Sequence, residues 1–149
     1  MPSIAETLEH IDNVRRFLNP IIQMLIERAE GHDLSKLLEP ERSMFNKFTP
    51  INEQLKYGSD EYYQNLGKML AEALSHHYDM NSHHPQFFDN GIDGMSLIDL
   101  MEMMVDWKAS TMKHKDGDIN NSLEINRERF NISDQLYSIL KNTIKELGW

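Results

Sequence analysis

The chain has 149 residues, with 24 acidic against 15 basic side chains, and a net charge of −9 that argues against passive binding to duplex nucleic acid or an anionic membrane. It contains no cysteine, which removes disulfides, thiol nucleophiles and Cys-based zinc fingers and leaves imidazole and carboxylate as the ligands for any metal. The length suits one domain over 1–149, and the absence of a 20-residue apolar run or a signal-like N-terminus points to a cytoplasmic protein, in the host cytoplasm if it is phage-encoded.

Helical periodicity runs almost throughout, so the fold class predicted is all-α. Ile4, Leu8, Ile11, Val14 and Leu18 form one apolar stripe, and Pro20 either opens a second helix or kinks a continuous one that ends near Gly31. A short helix and loop are expected from Asp33 through Pro50. Asp60 can cap a long helix to about Tyr78, followed by a loop over 79–94. From Ser96 to Lys113 the spacing predicts a helix with Ile98, Met101, Val105, Ala109 and Met112 on its inward face. The Asp116-Gly117-Asp118 turn then precedes two helices, at roughly 120–130 and 133–147, the second capped by Ser133.

The polar residues suggest a metal site. Five of the seven histidines fall between His32 and His84. Leu66, Leu70, Ala73 and His77 follow one helical face, so His77 rather than His76 continues an inward stripe. Asp99, Glu102 and Asp106 share a face of the later helix beside large apolar side chains. A buried acid there needs a counter-charge, and a divalent cation supplies one. His10 aligns with Thr7, Val14 and Phe17 at the edge of the first stripe. Plainer readings exist for each: a helix end and Asx turn at His32-Asp33, a polar loop at His83-His84-Pro85, and a structural ion pair of Asp106 with Lys108 or Arg28.

With these residues in order, the chain resembles the HD-domain superfamily of metal-dependent phosphohydrolases. The strings Arg28-Ala29-Glu30-Gly31-His32-Asp33-Leu34-Ser35-Lys36, Asn81-Ser82-His83-His84-Pro85 and Glu102-Met103-Met104-Val105-Asp106-Trp107 resemble, more narrowly, a small phage and bacterial family of unassigned function. The likeness spans about 4–112, with the helices of 120–147 packing on it. It implies an HD-like helical bundle in which His10, His32, Asp33 and Asp106 hold one metal. A second ion would use His77 and either His83 or His84. A homodimer is the default it suggests.

The chemistry implied is cleavage of a nucleotide or similar small phosphate ester by a metal-bound hydroxide, with one or two ions of manganese, iron, cobalt, nickel or zinc. Lys36 and Arg28 are the cations near the His-Asp doublet that would meet phosphate oxygens, and Glu41 or Glu102 would orient water or relay a proton. Two other classes stay open. One is a di-iron oxygenase on the same scaffold, and the other a noncatalytic helical binding protein with a structural metal. No P-loop, dinucleotide-binding or EF-hand string is present.

Overall fold

The structure, a computed structural model, describes residues 1–52, 59–113, 115 and 117–149. Among them are six α-helices, three short 3-10 turns and no strand, so the chain is all-α as its periodicity predicts. No helix among the described residues is long and apolar enough to cross a membrane. The chain divides into two compact units, Met1–His32 and Asp33–Trp149.

The first unit is essentially α1, Ile4–Gly31. Ser3 opens it with a capping box: its hydroxyl accepts the Glu6 amide, and the Glu6 carboxylate accepts the Ser3 amide at 2.6 Å. The helix runs unbroken through Pro20, although the missing N–H there gives up a bond to the Arg16 carbonyl. It resolves as one helix, not two.

In the second unit a 3-10 turn, Leu34–Leu37, leads into α2, Glu41–Asn52, which carries Pro50 in its last turn where the sequence suggests a loop. α3 spans Asp60–Met80; there Ala73 is fully buried and packs with Phe48 of α2, setting the inward face that His77 continues one turn later. The side chains of Leu66 and Leu70, named with them in the sequence, lie outside the described residues, as does Asp116. Two further 3-10 turns, Pro85–Phe87 and Gly91–Gly94, replace the plain loop before α4, Leu97–Thr111. α5 is Ile119–Arg129, and α6 is Asp134–Glu146 with the expected Ser133 cap.

The main core joins Met103, Met104 and Trp107 of α4 to Ile119 and Leu123 of α5, Ile132, and Leu140 and Ile144 of α6. This overturns one expectation. Of the face predicted to point inward, Met101, Val105 and Met112 are 42%, 49% and 78% exposed. α4 bears two apolar stripes with its acidic face between them, and the partners supplied by α5 and α6 meet the Met103–Trp107 stripe. Asp99 sits at the start of the acidic face. It completes the α4 capping box by accepting the Ser96 amide, and it takes the Ser96 and Ser82 hydroxyls at 2.6 Å each. The second of these bonds ties the segment before Pro85 to α4.

Candidate metal centre

The site begins at a backbone irregularity. Asp33 has φ 57° and ψ 16°, a left-handed conformation that Asp tolerates better than most side chains. Its carbonyl accepts the Lys36 amide at 2.9 Å, and the Lys36 ammonium returns to the Asp33 Oδ2 at 2.5 Å while lying 5.5 Å from the Phe45 ring centroid. With Oδ2 held by that charge-assisted bond, Oδ1 faces the histidines of α3 and the following segment.

Three imidazoles meet it. His77 Nε2 lies 3.3 Å and His83 Nε2 3.5 Å from Asp33 Oδ1, and His77 Nε2 lies 2.8 Å from His84 Nε2. One ligand atom from each of the four residues falls within 4.8 Å of all the others. A tetrahedral ion with bonds of 2.0–2.1 Å has ligand–ligand edges of roughly 3.3 Å, the spacing found for both imidazole–carboxylate pairs. His77 and His83 are 2% exposed, and the ring centroids of His83 and His84 are 4.1 Å apart.

The far nitrogens settle the tautomers. A carboxylate can only accept, so His77 Nδ1, 2.9 Å from Glu41 Oε2, and His83 Nδ1, 3.1 Å from Glu102 Oε1, are both N–H donors. Their Nε2 lone pairs are therefore the ones directed at Asp33 Oδ1. Lone pairs and a carboxylate oxygen repel across such distances unless a cation or proton lies among them, and outer carboxylates on ligating histidines are the usual companions of a metal. Two of the imidazoles, His84 and His77, are also held toward the neutral, ligating form. Burial, and then His83 and His77, push His84 down to about 3, against the opposing pull of Asp106 and Asp33. Burial, followed by Lys36, lowers His77 below its ordinary value.

The remaining shell is closed around His77. Asn81 donates through its amide to the His77 carbonyl at 2.7 Å and to Ser35 Oγ at 2.9 Å, and the Ser35 hydroxyl donates to Glu41 Oε2 at 3.0 Å. His76 Nδ1 lies 2.7 Å from the other Glu41 oxygen. His77 thus lies on the cluster, as the helical spacing predicts, while His76, which that spacing turns toward the side of Glu72, meets Glu41.

The family described as Family of unknown function (DUF5662) matches residues 2–146. The chain belongs to this family. No curated protein and no solved structure matches it. Because the DUF5662 match reaches residue 146, it takes in α5 and α6, which the sequence resemblance over 4–112 leaves out.

Of the residues singled out from the sequence, Asp33, His77, His83 and His84 converge. Half-buried Asp106 has a carboxylate oxygen within 4.8 Å of one of Asp33. Glu41 and Glu102 stand behind the histidines on their Nδ1 side rather than facing the ligand atoms. Lys36 is committed to Asp33. His10, Arg28 and His32 belong to the N-terminal unit: His10 is exposed and lines a shallow groove with Val14 and Phe17, Arg28 is half-buried in the last turn of α1, and His32 is its C-terminal cap. Sequence reasoning missed Ser35, Asn81 and Ser82. The Asn81-Ser82-His83-His84 string is the one local signal that hints at the last two.

Proposed function

We propose that this protein is a metal-dependent phosphohydrolase, related in chemistry to the HD-domain enzymes, that cleaves a small phosphate ester such as a nucleotide. The observation that carries the reading is the convergence of two imidazoles, each fixed by a carboxylate on Nδ1, on a single Asp33 oxygen. The donor set of Asp33, His77, His83 and His84 suits zinc, cobalt, nickel, iron or manganese. When bound, such an ion supplies Lewis acidity and brings the pKa of a water from about 15.7 toward neutrality.

The chain's own residues would do the rest. Asp106, beside Asp33 and half-buried, accepts the proton released by the attacking water. Lys36, paired with Asp33 Oδ2 and with its side chain 39% exposed, is a cation at the edge of the cluster that an anionic ester could meet. Glu41 and Glu102 hold the imidazoles and are not available as proton relays at the centre. Asp33, Asp106, Glu41 and Glu102 together carry more charge than Lys36 plus one divalent ion, so a second ion would favour binding of an anionic ester.

A second reading is favoured by one feature. Four protein ligands can close a tetrahedron, as in structural metal sites, which would make the protein a noncatalytic metal-stabilised helical module. Elemental analysis of protein purified without a metal-affinity tag separates these. About one or two equivalents of a transition metal, lost in Asp33→Ala and accompanied by hydrolysis of bis(p-nitrophenyl) phosphate or nucleoside phosphates, supports the enzyme. One tightly held equivalent with no hydrolysis supports the module, and no metal after reconstitution removes both.

A further inference from the structure

Glu41 is the first residue of α2 and its carboxylate is fully buried. Each of its neighbours has a defined direction. His77 Nδ1 and the Ser35 hydroxyl donate to Oε2, and His76 Nδ1 faces Oε1. Asn81 spends its amide hydrogens on the His77 carbonyl and Ser35 Oγ, which leaves Ser35 free to point its own proton at Glu41. Among the described residues no lysine or arginine lies within ion-pair distance of this carboxylate. A buried anion solvated only by imidazole and hydroxyl donors is costly unless a positive charge reaches it.

One route for that charge is through the His77 ring, whose other nitrogen sits in the candidate metal cluster. We infer that Glu41 is a positioning residue whose buried charge is balanced by the metal across His77, so that it gives up stability in the metal-free protein to gain affinity for the ion. The inference rests on the metal reading above. It assigns to Glu41 a function different from water orientation: it fixes the Nδ1–H tautomer of His77, raises the basicity of Nε2, and couples occupancy of the centre to the anchoring of α2. His76, whose side chain is 38% exposed, holds the second oxygen at the solvent edge and keeps the carboxylate from rotating.

The test is Glu41→Gln, which preserves shape and one acceptor while removing the charge. Zinc and cobalt(II) affinities are measured by competition with a chelating dye, and thermal unfolding is followed with and without the ion. Expected are a roughly 10- to 100-fold loss of affinity, a metal-free midpoint at or above that of the parent, and a reduced midpoint with metal. Equal lowering of both midpoints with unchanged affinity would mean that Glu41 is a packing residue, and overturns the inference while leaving the metal reading intact. A parent chain that binds neither ion overturns both. Two-bond ¹H–¹⁵N spectra of the metal-free parent give an independent check: His77 must be the Nδ1–H tautomer, and an Nε2–H ring refutes the assignment even if the Gln variant fails to fold.

Discussion

Ser82→Ala tests how the histidine segment is held in place. The Ser82 hydroxyl donates to Asp99 Oδ1 at 2.6 Å, and Asp99 is 5% exposed at the start of α4, three residues before the Glu102 that holds His83. A hydrogen bond to a charged acceptor is worth about 1.5–3 kcal/mol. Ser82 is half-buried and Asp99 keeps its bonds from Ser96, so the lower end applies. A loss of about 1.5–2 kcal/mol lowers the midpoint by roughly 3–8 °C for a chain of this size. Loosening the segment also lets His83 and His84 drift from Asp33, which costs about tenfold in metal affinity, the lower end for an outer-shell partner. The assay is a double-mutant cycle with Asp99→Ala, read by urea unfolding and cobalt(II) titration. If the bond acts as described, Ser82→Ala costs almost nothing further once Asp99 is gone. Additive losses, or a single variant that unfolds within 1 °C of the parent with full affinity, would refute the reasoning.

The depressed His84 gives a pH dependence in metal-free protein. Its folded value of about 3 lies below the ordinary value near 6.5, so the unfolded chain takes up the proton first. Stability is therefore full above pH 6.5 and declines as the pH falls toward 3; urea midpoints that stay level or rise over that interval contradict the burial of a neutral ring. Met104→Ala, at a fully buried core position, should cost about 2–5 kcal/mol in urea unfolding. Met101→Ala on the outward stripe of the same helix should cost under about 1 kcal/mol. Comparable losses at the two positions would reverse the assignment of the core face.

Much of the fold is legible because it is local. The Ser133 cap, the all-helical pattern and the inward turn of His77 after Ala73 follow from short-range spacing. The inward face of α4 is not, since Ile98, Met101, Val105, Ala109 and Met112 have as good a helical period as Leu100, Met103, Met104 and Trp107. Only the arrival of Leu123, Leu140 and Ile144 decides between them. The site divides the same way. Asp33 and the histidine pairs stand out by residue type, whereas Ser35 and Asn81 are ordinary polar residues that meet across 46 positions of sequence, and the place of Glu41 behind His77 rests on a pairing 36 positions apart. Pairing at that range leaves no periodic trace.

The left-handed backbone at Asp33 places two demands on one position. The turn asks for a residue content with positive φ, a short list led by glycine and asparagine, while the cluster asks for a carboxylate oxygen. Glycine would satisfy the turn and even relax it, yet would empty the centre of its one shared oxygen. On the proposed metal reading, a family member with glycine at this position would fold and bind no ion at this centre, a difference readable from a single letter.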